Sequence, residues 1–213
     1  NELAFPTLPA VAQAIADAAV HESSGINRYP DNGAARLVTA LAALTGAPES
    51  HIVTGCGSVA LCQQLVQATA EAGDEVLFGW RSFEAYPIVT QITGATAVRV
   101  PVTAGHELDL AAMADAITPA TRLIFICTPN NPTGTTVRAA DLIAFLDRVP
   151  EHVLVTIDEA YTEFDDADDS PDGLAEATSR PNVVTLRTLS KAYGLAGLRV
   201  GYAVADPAVV TAL

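Results

Sequence analysis

The sequence predicts an α/β fold with a mostly parallel central sheet and helices on both of its faces. Three observations carry that prediction. Six short runs, at 75–78, 97–102, 122–127, 153–157, 183–189 and 198–204, are largely apolar and β-branched. Runs of that kind suit strands covered on both faces. Helical spacing of apolar residues lies between several of them, around 85–92, 110–117 and 138–148, and strands alternating with helices imply parallel pairing. A further strand, 51–54, runs into Gly55-Cys56-Gly57-Ser58 and then into a helix. Strand, tight glycine turn and helix together aim backbone N–H groups at an anion.

The remaining elements follow in order. Leu8, Val11, Ala12, Ile15 and Ala19 recur at helical spacing over 8–20, with Thr7 as candidate N-cap. Residues 25–33 are polar and turn-rich. A second helix over 34–44 ends at Gly46, and the helix over 59–70 is closed by Gly73. Asp206-Pro207 reads as the start of another helix. The acidic run at 163–169 precedes Ser170, Pro171 and Gly173 and reads as a solvated loop rather than a metal site.

Composition bounds the function. A chain of 213 residues, half of them hydrophobic, can bury one sizeable core. The net charge of −14 argues against nucleic acid or an anionic membrane as partner. Cys56, Cys62 and Cys127 lack metal-ligand spacing and read as reduced, buried thiols, so a cytoplasmic protein is expected. No run of about 18 apolar residues is present, and no basic leader pattern opens the sequence.

The chemistry concentrates around one residue. Of eleven basic side chains, ten are arginine, and the single lysine is Lys191. A guanidinium is a poor nucleophile, whereas a desolvated lysine amine can attack a carbonyl. Thr188 and Ser190 place hydroxyls beside it, Gly194 and Gly197 let backbone approach closely, and Arg199 adds a fixed cation. Hydroxyls with a fixed cation are what a phosphate needs. An amine beside a phosphate cup points to pyridoxal 5'-phosphate held covalently through the lysine.

Thr188-Leu189-Ser190-Lys191-Ala192-Tyr193-Gly194-Leu195-Ala196-Gly197 resembles the lysine signature of the fold-type I aminotransferases, in the branch of the histidinol-phosphate enzymes. That resemblance implies roles for residues standing just after strand runs, where open α/β sheets bind ligands. Asp158, in Asp158-Glu159-Ala160-Tyr161, matches the carboxylate that keeps the cofactor's pyridine nitrogen protonated; a helix cap or a structural ion pair is the other role open to it. Tyr161 and Asn131 match the two donors to the phenolic oxygen, with the Asn131–Pro132 peptide expected cis. Gly57 and Ser58 would serve the phosphate from one side, and Thr188, Ser190 and Arg199 from the other. Phe83 holds the place of the aromatic that stacks on the ring. Tyr29 matches a tyrosine that reaches the phosphate of a neighbouring subunit, which implies a homodimer.

The resemblance also implies a division into an N-terminal helix and loop, 1–33, and a cofactor-binding large domain, 34–213. A small C-terminal domain carrying the substrate-carboxylate arginine would follow, so residues 1–213 alone are not expected to transaminate usefully. The substrates implied are an amino acid and a 2-oxo acid. The stretches Gly55-Cys56-Gly57-Ser58-Val59 and Gly79-Trp80-Arg81-Ser82-Phe83-Glu84 look more like the aromatic-amino-acid (phenylalanine-type) members than the histidinol-phosphate ones. Histidinol phosphate remains open as a substrate, as does decarboxylation on the same fold. A sensing domain built on this fold would need a DNA-binding partner domain, which the acidic charge disfavours.

Overall fold

The computed structural model describes residues 1–21 and 25–213. Seven strands form one sheet: β1 (Ile52–Cys56), β2 (Glu75–Trp80), β3 (Thr96–Pro101), β4 (Thr121–Cys127), β5 (Leu154–Asp158), β6 (Val183–Thr188) and β7 (Val200–Val204). Their order is β1-β7-β6-β5-β4-β2-β3. The pairs from β6 through β5, β4 and β2 to β3 are parallel, whereas β7 runs antiparallel to both neighbours. Two reversals cancel, so β1 points the same way as β6. The C-terminal ends of β1, β4, β5 and β6 therefore share one edge.

Eight helices accompany the strands among the described residues: α1 (Pro9–Ala19), α2 (Ala35–Thr45), α3 (Ser58–Thr69), α4 (Ala85–Ile92), α5 (Leu110–Asp115), α6 (Ala139–Leu146), α7 (Gly173–Ser179) and α8 (Pro207–Ala212). Side chains alternate across the sheet with period two. Ile124, Ile126, Val155 and Ile157 join Leu41, Met113, Leu142 and Phe145 on the face covered by α2, α5, α6 and α7. Leu123, Phe125, Cys127, Leu154, Val184 and Leu186 pack with Leu61, Leu65, Tyr86 and Val89 of α3 and α4 on the other face. The central strands are buried on both faces, as their apolar runs require. The edge strands are not. β3 exposes Thr96, Arg99 and Pro101, because an edge strand has a neighbour on one side alone.

Most boundaries agree with the sequence reading to within two residues, and three points differ. Thr7 does not cap α1; Leu8 occupies the cap position without a side-chain hydrogen bond, and Pro9 begins the helix with the ring geometry suited to a first turn. Arg199 stands just outside β7 in a left-handed conformation (φ 54°), so the strand begins at Val200. Helix α7 has no counterpart among the sequence's helical patterns. Its seven residues are too short for a periodic signal, and its start is set by Asp172, whose side chain accepts from the Ala175 amide.

No residue of α1 is buried, and Leu8 and Val20 on either side of it are exposed. No helix among the described residues is long and apolar enough to cross a membrane.

Candidate active site

The strand edge shared by β1, β4, β5 and β6 opens into a cavity of about 360 Å³. It is lined by Ser58, Phe83, Asn131, Asp158, Tyr161, Thr188, Ser190, Lys191 and Arg199 among others. Of the residues singled out in the sequence, the fold thus brings nine to one cavity. Gly57 does not line it but abuts Arg199, which does, and Tyr29 lies outside it, fully exposed.

The phosphate side is built first by alternation. Thr188 at the end of β6 faces the same side of the sheet as α3, so the N-terminus of α3 lies against it. Gly57 takes φ 78°, ψ 162°, and α3 starts at Ser58 with no side-chain cap. Its first-turn amides are therefore free of a side-chain acceptor, which makes the turn suited to an anion. Arg199 Nη1 donates to Ala196 O at 2.9 Å and to Ser190 Oγ at 3.4 Å. Thr188 Oγ1 accepts from the Ser190 amide at 3.1 Å and lies 2.9 Å from Ser190 Oγ. Hydroxyls, helix amides and guanidinium thus converge from three elements. Gly201 of β7 is pressed against this turn so closely that a Cβ there would strike the backbone of Gly57 and Ser58.

Asp158 closes β5 and is 2% exposed. Its Oδ2 accepts from the Tyr86 hydroxyl at 2.7 Å and its Oδ1 from the Ala160 amide at 3.2 Å. Burial raises its pKa above the ordinary aspartate range, against the lowering effect of Tyr86, Ala160 and Lys191. Among the described residues this carboxylate has no cationic hydrogen-bond partner, and it lines the cavity, where such a partner would fit. Burial also pushes the Cys127 thiol up to about 12, with Asp158 adding to it, so the thiol in the cavity wall stays neutral and unreactive.

Lys191 follows β6, and its Nζ donates to the Asn1 carbonyl at 2.9 Å while standing 5.4 Å from the centre of the Tyr161 ring. The Asn1 side-chain amide donates to Tyr161 Oη at 2.9 Å and to Asn131 Oδ1 at 3.3 Å. Asn131 and Tyr161 therefore present their polar ends to one point. The Asn131–Pro132 peptide is cis, as expected, and so is Thr128–Pro129. Behind Asn131, Asn130 is buried and tied to Ser82 Oγ (2.7 Å), Thr133 Oγ1 (2.8 Å) and the Arg81 carbonyl (3.0 Å), which fixes the loop.

On the opposite face, Glu159 is buried and accepts from Arg187 at 2.8 Å and from the Gly173 amide at 3.0 Å. This pair clamps the ends of β5 and β6 and so fixes the backbone that carries Asp158. Two contributors escaped the sequence reading. Tyr86 had a legible signal, since it lies one helical turn beyond Phe83; Asn1 had none.

The family Aminotransferase class I and II matches the chain over residues 1–213. The chain belongs to the class I and II aminotransferases. It is 62% identical over 213 residues to an aromatic amino acid aminotransferase of Rhodococcus jostii, covering all of this chain and 58% of that protein. It is 60% identical to an aromatic amino acid aminotransferase of Mycobacteroides abscessus, again over the whole chain and 60% of that protein. The chain thus spans about three-fifths of the length of these relatives. Among solved structures, the histidinol-phosphate aminotransferase of Sinorhizobium meliloti in complex with pyridoxal-5'-phosphate superposes with a TM-score of 0.92 at 32% identity, over all of this chain and 56% of that one. Class I and II aminotransferases depend on pyridoxal phosphate. The residues present fit that group: an uncapped helix start with a guanidinium suits a phosphate, a buried carboxylate suits a ring nitrogen, and the sole lysine lines the same cavity.

Proposed function

We propose that the protein transfers an amino group between an aromatic amino acid and a 2-oxo acid, using pyridoxal phosphate bound in this cavity. The observation that carries the reading is the gathering of Lys191, Asp158, Asn131, Tyr161 and Arg199 around one cavity, in a chain 62% identical to a relative of that name. The cofactor, when bound, supplies an electron sink for the bond broken at the substrate's α-carbon.

Each side chain has a task in this reading. Ser58, Thr188, Ser190, Arg199 and the amides after Gly57 bind the phosphate. Asp158 holds a proton on the ring nitrogen, and burial strengthens that pairing because water cannot compete for it. Asn131 and Tyr161 donate to the phenolic oxygen and favour its ionised form. Phe83 would cover one face of the ring. Lys191 would hold the cofactor through its Nζ, and the same amine, placed in the cavity, would serve as general base and acid for the proton at the substrate α-carbon. Tyr29, exposed and outside the lining of its own cavity, is assigned to the phosphate of a second copy, making the working unit a homodimer. The cytoplasm is the setting this reading implies, supported by three cysteines that are all unpaired; Cys62 and Cys127 are buried as expected, whereas Cys56, at the end of edge strand β1, is exposed.

A second reading has its own support: the likeness to the histidinol-phosphate enzyme extends over the whole chain. Amino transfer from a common donor to phenylpyruvate and to imidazole-acetol phosphate, assayed with the intact protein, separates the two. Faster turnover of phenylpyruvate is expected. Preference for the imidazole substrate would favour the second reading, and release of carbon dioxide instead of a keto acid would overturn both.

A further inference from the structure

We propose that Tyr86 is the positioning residue of the ring-nitrogen site: its hydroxyl locks Asp158 in the orientation that a protonated ring nitrogen requires, and its ring ties that carboxylate to Phe83. The inference rests on the pyridoxal-phosphate reading above and assigns it one further residue.

The geometry begins with the carboxylate. An ionised aspartate offers about four lone-pair sites on two oxygens and can turn about its last torsion. Here each oxygen meets one protein donor: Tyr86 Oη on Oδ2 at 2.7 Å and the Ala160 amide on Oδ1 at 3.2 Å. Donors on both oxygens leave one orientation, with the remaining lone pairs available to the cavity that Asp158 lines. The shorter bond comes from a side chain, so its direction depends on how firmly that side chain is held.

Tyr86 is held on three sides. Its ring stacks on Phe125 with centroids 4.4 Å apart and planes 7° from parallel. It leans on Phe78 at 5.8 Å, and meets Phe83 edge-on at 5.6 Å and 89°. Tyr86 is wholly buried on α4, and its amide donates to the carbonyl of Phe83, two residues before the helix, at 3.2 Å, so one turn at the helix entry carries both the ring-stacking residue and the partner of Asp158. A shift of either would be transmitted to the other through this contact, because packed interiors leave little slack.

The surroundings keep Tyr86 a donor. Burial, with Asp158 adding to it, raises the phenol well above its ordinary range, so the hydroxyl stays protonated. The other titratable groups facing Asp158 are Cys62 from α3, Cys127 from β4 and Lys191 beyond β6. Both thiols are pushed upward by burial and stay neutral. The Lys191 charge and the Tyr86 hydroxyl are then the side-chain influences that favour the ionised carboxylate.

Tyr86→Phe removes the hydroxyl and keeps the ring. Two measurements on the intact protein test the proposal. In the cofactor-free form, the Asp158 carboxyl is titrated by carbon-13 NMR, its signal assigned by loss in Asp158→Asn. In the second, pyridoxal phosphate is titrated by absorbance. We expect the carboxyl midpoint to rise by about one pH unit and cofactor affinity to fall about tenfold, equivalent to about 1.4 kcal/mol. A merely structural role would lower the melting temperature and leave the midpoint in place. Phe125→Leu, which keeps the hydroxyl but removes the ring that aims it, should move both quantities in the same direction by less, and it serves if Tyr86→Phe does not fold. Unchanged midpoint and affinity would overturn the proposal. If the unaltered protein binds no pyridoxal phosphate while Tyr86→Phe still moves the midpoint, the cofactor reading fails and the Tyr86–Asp158 coupling stands.

Discussion

Gly57 and Arg199 press together so closely that a Cβ on the glycine would fall onto the guanidinium. Gly57 also adopts φ 78°, ψ 162°, a region essentially reserved for glycine. Gly57→Ala should therefore displace Arg199 and open the turn that starts α3. The expected result is a loss of about 1–3 kcal/mol of stability in a urea melt and at least tenfold weaker binding of pyridoxal phosphate by absorbance titration. Unchanged binding would mean that Arg199 does not serve the phosphate.

Lys191 is the sole lysine of the chain. Lys191→Ala should abolish the borohydride-reducible adduct with pyridoxal phosphate, read as mass added to this chain. Lys191→Arg should do the same, since a guanidinium does not replace the amine as nucleophile. A reducible adduct retained within residues 1–213 of either variant would remove Lys191 from its assigned role.

Asp158 makes a pH-dependent prediction with a definite sign. Its pKa is raised by folding, so between the ordinary aspartate range and the raised value the folded cofactor-free protein binds more protons than the unfolded chain. Stability from this group is then fully present at low pH and is lost as pH rises through that window. Asp158→Asn should flatten this dependence in the cofactor-free protein, giving a higher melting temperature than the parent at pH 8 and little difference at pH 4. In the loaded enzyme the same change should lower turnover by several orders of magnitude, because an amide does not hold the ring-nitrogen proton and each ~1.4 kcal/mol lost costs a factor of ten. Near-normal turnover would make the carboxylate structural.

The Glu159–Arg187 pair predicts a stability effect separate from chemistry. Arg187→Ala would leave a carboxylate that is 2% exposed with the Gly173 amide and no cation. Breaking a buried pair from one side costs about 3–5 kcal/mol, and the lower end is expected because Arg187 retains partial exposure. Denaturant melts at neutral pH check this. An effect below 0.5 kcal/mol would show that water reaches Glu159 once the arginine is removed.

The fold class, the strand runs and most of the helices were legible in the sequence, because burial on two faces imposes a local signature of continuous apolar, β-branched residues. The gathering of the candidate site in one cavity was legible from Lys191 and its neighbours and, for Asp158, Asn131 and Tyr161, from the family resemblance. A lone lysine among arginines, with hydroxyls and glycines at short spacing, restricts the chemistry that can occur there. What the sequence by itself left undecided were relations between distant segments. The antiparallel β7, the strand order and the shared edge of β1, β4, β5 and β6 depend on which hydrophobic faces can be covered together. Tyr86 could be read as one more core aromatic until α4 set its hydroxyl 2.7 Å from Asp158, a residue 72 positions away. Asn1 met Lys191 in the same way, across 190 positions. Local propensity carries no information about such contacts. They are selected by packing, which must pair most buried polar groups while it covers the apolar faces, and so chooses partners that no stretch of sequence can name alone.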